Sequence, residues 1–177
     1  MKKLTLSYES SWRTKEDDKF MKSKDWANIR QRILDRDNYT CQYCNFKSEK
    51  GMQVNHINGN PKDNEYNNLE VICNQCHMIL HSGLWCKVKG VIELYKTSKY
   101  DQNAIIKESR KLRGIGKSDE EIIFALGLSN RTMWKQDLKY LSKLFGFITS
   151  NKSKDTIKPN LTEDEQKSIL LKSQEII

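Results

Sequence analysis

The chain has 177 residues, 31 of them Lys or Arg and 23 Asp or Glu, which gives a formal net charge of +8. This length permits one mid-sized domain or two small ones, and the positive charge favours an anionic partner such as nucleic acid. No run of about eighteen apolar residues occurs, and no apolar segment follows the basic N-terminal residues, so we expect neither a membrane span nor a secretory signal. Two Pro and eight Gly exclude a collagen-like or Pro-rich architecture.

Charge and sequence pattern divide the chain into five segments. They are a polar arm with one short strand candidate (1–22), a segment with all cysteines and histidines (23–86), a partly helical connector (87–117), a pair of helices (118–148), and a linker with a final amphipathic helix (149–177). Residues 87–150 carry thirteen Lys or Arg against seven Asp or Glu. The positive charge therefore lies mainly outside the segment with the cysteines and histidines.

Local signals place several helix ends. Apolar residues at helical spacing after Ser23 predict an amphipathic helix over the run KDWANIRQRILDR, with Ser23 as its N-cap. Ser118 and Glu121 form a capping box before the apolar run IIFAL, and Gly127 is placed to end that helix. A second helix is predicted to begin after Ser129, which gives helix, tight turn, helix.

Four of the five cysteines form two Cys-x2-Cys pairs, Cys41 with Cys44 and Cys73 with Cys76. Four thiolates at this spacing predict a closed, tetrahedral structural zinc site, and the 28 residues between the pairs leave room for strand, loop and strand. The odd number of cysteines argues against a disulfide framework. Four reduced, buried cysteines or a redox pair are the alternatives, and we expect Cys86 to be a plain buried thiol.

All three histidines, His56, His77 and His81, lie between the cysteine pairs or just behind the second one. His77 and His81 are four residues apart, so on a helix they share a face and can bind one metal ion. The alternatives are histidines without a functional role, or a second structural zinc site with Cys86 as its fourth ligand.

The runs WANIRQRILDRDNYTCQYC and VNHINGNPKDNEYNNLEVICNQCHMILH resemble the HNH endonuclease family, the ββα-metal finger nucleases, including the zinc-knuckle members of phages and mobile introns. The resemblance covers residues 24–82, less than half of the chain. It implies an α+β fold, in which a small ββα-metal finger with a four-cysteine zinc site is flanked by helices and followed by a helical C-terminal region.

The same resemblance implies roles for individual residues. His56 would be the general base, and Asn68 the middle asparagine that orients the loop and holds the base in place. His77 and His81 would be ligands of the catalytic cation, Mg²⁺, Mn²⁺ or another divalent ion, in addition to the structural Zn²⁺. Asn55 occupies a position that usually holds a metal-binding His or Asp, and a neutral amide is a weaker ligand for a hard cation than a carboxylate.

Residues 118–148 resemble a helix-turn-helix unit that binds DNA. The candidate DNA contacts are four residues of its second helix and three of the preceding basic run: Arg131, Thr132, Lys135, Gln136, Arg110, Lys111 and Arg113. An ordinary hairpin of two helices packed on the nuclease core is the alternative.

Together these features predict a metal-dependent endonuclease that cleaves duplex DNA with site preference. A phage or mobile-element homing role is the first expectation and a restriction role the second. The rival hypothesis is a non-catalytic zinc-ribbon and helix-turn-helix regulator with a degenerate HNH fold, and an RNA-directed nuclease is a third. We expect a cytoplasmic protein without a membrane partner, and the sequence leaves the choice between monomer and homodimer open.

Overall fold

The computed structural model describes residues 1–6, 15–87 and 89–150. A short helix α1 (Lys15–Phe20) precedes helix α2 (Lys24–Arg36), whose N-terminus is capped by the Ser23 hydroxyl accepting a hydrogen bond from the Trp26 N–H at 3.1 Å. Trp26, Ile33 and Leu34 are buried on one side of α2. The predicted amphipathic helix and its N-cap are thus confirmed.

An antiparallel hairpin of strands β1 (Met52–His56) and β2 (Leu69–Cys73) forms the centre of the first half of the chain. A loop ending in a 3-10 turn (Tyr66–Asn68) joins the strands, and helix α3 (Asn74–Leu80) follows β2 directly. The predicted order of strand, loop, strand and helix is confirmed, and it is the order of a ββα finger.

The second half of the chain is built on a three-stranded antiparallel sheet with the strand order β4-β3-β5. Its elements are α4 (Ser82–Lys87), β3 (Ile92–Thr97), α5 (Gln102–Gly114), α6 (Asp119–Leu126), β4 (Ser129–Thr132), α7 (Leu138–Leu141) and β5 (Phe145–Ile148). None of the helices in the described part of the chain is long and apolar enough to cross a membrane.

The predicted helix-turn-helix unit is wrong in its second helix. Helix α6 has the predicted capping box at Ser118 and ends at Gly127 in a left-handed conformation (φ 62°). Residues 129–132 then form strand β4, which pairs with β3 so that Arg131 lies opposite Tyr95. Asn130 also has a positive φ of 57°, which a helix does not tolerate. Pairing with β3 therefore outweighs the local helical pattern.

Three smaller expectations also differ from the structure or lie outside it. Residues 1–6 of the arm form no strand, although Leu4 and Leu6 are buried. The connector 87–117 contains strand β3 as well as a helix. The final helix and most of the linker, residues 151–177, lie outside the described residues.

Two hydrophobic clusters make up the core, and helix α5 connects them. The larger cluster joins the arm, α2, the β1–β2 hairpin and α3, and the smaller one lies between α5, α6 and the sheet. The buried Gln102 side chain exchanges two hydrogen bonds with the backbone of Gly146, at 2.8 and 2.7 Å. The Asn103 side chain bonds the backbone of Lys2, Leu4 and Tyr43. Two adjacent residues of α5 thus connect this helix to the sheet and to the arm by hydrogen bonds.

A glycine is required at position 146, where the sheet meets the larger cluster. An added Cβ would lie 2.9 Å from Ile79 Cδ1 and 3.0 Å from Leu6 Cδ2. We expect Gly146→Ala to lower the free energy of unfolding by about 1–3 kcal/mol, because both neighbours are buried and must shift. The measurement is urea unfolding of the purified protein. Gly114→Ala is the control, since nothing lies within 4 Å of that position, and an equal loss in both variants would contradict the prediction.

Candidate metal centre and active site

The two cysteine pairs come together in one buried cluster. Cys41 and Cys44 lie in the turn after α2, Cys73 ends β2, and Cys76 lies in the first turn of α3. All four are buried, and their sulfur atoms lie within 4.8 Å of one another, with Cys44 and Cys73 Sγ 3.6 Å apart. A zinc ion with four Zn–S bonds of about 2.3 Å holds its sulfurs about 3.8 Å apart. The cluster fits a structural zinc ion, as predicted.

The protonation of the cluster also suits a metal. Hydrogen bonding with Cys41 is the largest cause that lowers the pKa of Cys44 and of Cys73, that of Cys73 to about 6. The same network raises the pKa of Cys41 and Cys76. Because zinc binds thiolates, loading the cluster would release the protons of those thiols that are still protonated.

His56 is the last residue of β1, and it is held from two directions. Its ring stacks on Trp26 of helix α2, with centroids 5.8 Å apart and an angle of 17° between the planes. His56 Nε2 lies 3.0 Å from Asn64 Oδ1. Since an amide oxygen only accepts hydrogen bonds, this contact fits the neutral tautomer with its proton on Nε2 and its lone pair on Nδ1.

Asn68 closes the loop between the two strands. Its amide nitrogen donates to the Asp63 carbonyl at 2.8 Å and to Asn58 Oδ1 at 3.0 Å, and its Oδ1 accepts from the Asn58 N–H at 3.1 Å. The Asn68 backbone carbonyl accepts a hydrogen bond from the N–H of Ile57, the residue directly after His56. The loop that presents Asn64 to His56 is therefore tied to Asn68.

Sequence reasoning did not identify Asn64 as a functional residue. The loop NGNPKDNEYNN contains five asparagines, among which position 64 has no distinguishing local signal. Only the closure of the loop shows which of these side chains contacts the His56 ring.

His77 and His81 lie side by side, as their spacing predicts. Their ring centroids are 4.2 Å apart in an edge-to-face arrangement, with His77 in α3 and His81 at its C-cap. Within the described residues, no third His, Cys, Asp or Glu completes a ligand group with them. That the two imidazoles bind a divalent cation as a pair of ligands stays a prediction.

The Asn55 side chain contacts a buried carboxylate, and its role as a metal ligand stays a prediction. Its amide donates to Glu70 Oε1 at 3.1 Å, on the cross-strand neighbour that faces the same side of the hairpin. Glu70 is 1% exposed and also accepts from the Tyr43 hydroxyl at 2.8 Å and from Lys2 Nζ at 2.5 Å. Burial and the Glu70 charge raise the pKa of Tyr43, which keeps its proton for this bond. Asn55 satisfies a buried carboxylate, on the opposite face of β1 from His56.

The seven predicted DNA contacts are not on one helix. Arg110 donates to the sulfurs of Cys44 and Cys73, and Arg113 pairs with Asp119 at 2.6 Å, so both point into the protein. The other five are more exposed or lie in and after β4. Lys111 pairs with Glu108, Arg131 with Glu93, the Thr132 hydroxyl bonds Tyr140, Lys135 lies over the Tyr140 ring, and Gln136 is exposed.

Metal content tests the cysteine cluster. We expect one zinc ion per chain in protein purified without chelators, measured by atomic emission spectroscopy, and its loss in Cys73→Ser, because the closed shell needs all four thiolates. Cys86→Ser is the matched control, since Cys86 belongs to no ligand group within the described residues. Zinc retained at full occupancy in Cys73→Ser would contradict the prediction.

Comparison with known proteins agrees with this geometry. Residues 43–79 match a family model described as HNH endonuclease. The chain is also 36% identical over 67 residues to the Zorya protein ZorE of Escherichia coli, over 35% of this chain and 18% of that protein. The chain thus spans less than a fifth of the length of this curated relative. The family match covers His56, Asn68 and His77 together with the hairpin and helix α3. Residues 43–79 are therefore similar to the HNH endonuclease family.

Proposed function

We propose that the chain is a metal-dependent endonuclease that hydrolyses phosphodiester bonds in duplex DNA, with His56 as its general base. The observation that carries the proposal is the fixed His56 ring, stacked on Trp26 and bonded through Nε2 to Asn64 within a segment that is similar to the HNH endonuclease family. This arrangement leaves the lone pair on Nδ1, the nitrogen that can accept a proton from water.

The polar loop supports the proton transfer. Hydrolysis needs a deprotonated water, and His56 Nδ1 accepts that proton while Nε2–H stays bonded to Asn64 Oδ1. Asn64 thereby stabilises the imidazolium that forms and fixes the ring orientation. Asn68 has the supporting role of holding the loop closed around Asn58 and Asp63.

His77 and His81 would hold the divalent cation, which supplies positive charge for the phosphate and the leaving oxygen. Imidazoles suit transition metals better than Mg²⁺, which prefers carboxylate and water oxygens. Because Asn55 is engaged with Glu70, we expect Mn²⁺ or Ni²⁺ to support more activity than Mg²⁺.

The surroundings of the module fit a polyanionic substrate. Lys111, Lys135 and Gln136 are exposed in a region with an excess of positive charge, and they remain our candidate contacts to DNA, with Arg131 and Thr132 at the adjacent strand. Site preference, a phage or mobile-element homing role and, second, a restriction role are part of this proposal.

A second candidate function is non-catalytic DNA binding by a degenerate HNH module. The observation in its favour is the Asn55 side chain, which bonds Glu70 where the family usually has a metal ligand. The helix-turn-helix unit that this regulator was expected to use is not formed by residues 118–148.

Cleavage of supercoiled plasmid tests the choice between these functions. With Mn²⁺, Ni²⁺ or Mg²⁺ we expect nicking or linearisation, and a loss of about 100-fold or more in His56→Ala, because a positioned general base contributes that much. Gln53→Ala on the same strand is the control and keeps its activity. Undiminished cleavage by His56→Ala would contradict the role of His56, and DNA that is bound but uncut with every metal would favour the regulator.

Loss of the Asn64 contact tests how the base is positioned. We expect Asn64→Ala to lower kcat about ten-fold or more with little change in KM, because a misoriented ring transfers the proton slowly. Asn64→Asp keeps the acceptor and retains more activity than Asn64→Ala. Asn60→Ala, in the same loop, is the control in a single-turnover assay. Equal kinetics in Asn64→Ala and Asn60→Ala would show that Asn64 does not position His56.

A further inference from the structure

The Arg110 side chain joins the two cysteine pairs. It extends from helix α5, and its two terminal nitrogens donate to different sulfurs, one to Cys44 at 3.5 Å and the other to Cys73 at 3.2 Å. These cysteines belong to different Cys-x2-Cys pairs, so one guanidinium bridges both. Its central carbon lies 4.0 Å from the centroid of the Phe46 ring, which supports the guanidinium from one face.

The charge of the cluster explains why a cation belongs there. Four thiolates around one Zn²⁺ leave an excess of two negative charges, and all four cysteines are buried. Buried charge without a partner is costly, and hydrogen bonds from a permanent cation reduce that cost. Arginine suits this position better than lysine, because its planar fork reaches two acceptors at once and stacks on an aromatic ring.

We propose that Arg110 is the residue that retains the metal in the cysteine cluster. By donating to Cys44 and Cys73, it neutralises part of their charge, makes both sulfurs weaker nucleophiles, and slows their release of zinc and their reaction with electrophiles. This role does not depend on whether the protein cleaves DNA. It also replaces the predicted contact of Arg110 with a phosphate, because the nitrogens that would bind the phosphate already contact sulfur.

The same contact couples the metal cluster to the second half of the chain. Helix α5 bonds the sheet backbone at Gly146 through Gln102 and the arm through Asn103. Arg113, one turn beyond Arg110, donates to the Ile148 carbonyl at 3.0 Å. The helix that supplies the counter-charge is therefore the one that connects the two hydrophobic clusters.

Transfer of zinc to a chromophoric chelator such as 4-(2-pyridylazo)resorcinol tests the proposal on the zinc-loaded full chain. We expect release to be about 10–100-fold faster in Arg110→Met than in the wild type, as for other partners of metal ligands. Arg110→Lys keeps the charge without the fork and gives an intermediate rate. Lys111→Met is the matched control, because it removes a positive charge from an exposed position next along the helix, and its rate stays at the wild-type value.

Alkylation with N-ethylmaleimide, followed by peptide mass spectrometry, separates this role from general destabilisation. In the Arg110 variants we expect Cys44 and Cys73 to be labelled before Cys41 and Cys76, whereas an unfolding chain exposes all four together. Simultaneous labelling would overturn the proposal, as would a zinc release rate in Arg110→Met equal to that of Lys111→Met. If Arg110→Met does not fold, Arg110→Lys decides, and a wild-type rate in that variant overturns the proposal.

Discussion

The convergence of four cysteines from two distant pairs is the constraint on which the rest of the module depends. Cys44 and Cys73 have 28 residues between them, yet their sulfurs lie 3.6 Å from each other. The chain between the two cysteines must therefore double back on itself, which it does by forming the paired strands β1 and β2. Cys73 ends β2, and its sulfur accepts from the Cys76 N–H at the start of α3, so the cluster also fixes where the helix begins. His56, at the end of β1, and His77, in α3, are therefore positioned by the hairpin and by this helix.

Two polar networks complete the site, and they explain where the sequence departs from the HNH pattern that it resembles. Hydrogen bonds among Asn58, Asp63 and Asn68 close the loop, and Asn64 of that loop presents its Oδ1 to the His56 ring. The other network surrounds Glu70, whose buried carboxylate needs hydrogen-bond donors. An aspartate at position 55 would place a second carboxylate against Glu70, and two neighbouring carboxylates cannot both be ionised at low cost. The asparagine amide donates a hydrogen bond instead, which satisfies Glu70.

Local sequence signals were sufficient to predict much of the fold, the cysteine cluster and the proximity of His77 and His81. The caps at Ser23 and Ser118, the Cys-x2-Cys spacing and the His-x3-His spacing each act within one turn or loop, and the structure has all of them. The features that the sequence did not predict depend on contacts between residues far apart in the chain. Strand β4 forms because β3 offers an edge some thirty-five residues earlier in the chain, as Tyr95 and Arg131 show. The contact of Arg110 with the cysteine sulfurs, and that of Asn64 rather than another loop asparagine with His56, likewise depend on tertiary packing that no local pattern encodes.

We propose a division of labour, in which the four cysteines hold a structural metal and the histidines take part in the chemistry. X-ray absorption spectroscopy at the zinc edge of the purified protein tests it most directly. We expect a shell of four sulfurs at about 2.3 Å and no nitrogen ligand. A mixed shell with imidazole nitrogen at about 2.0–2.1 Å would contradict it, because His77 or His81 would then belong to the structural site.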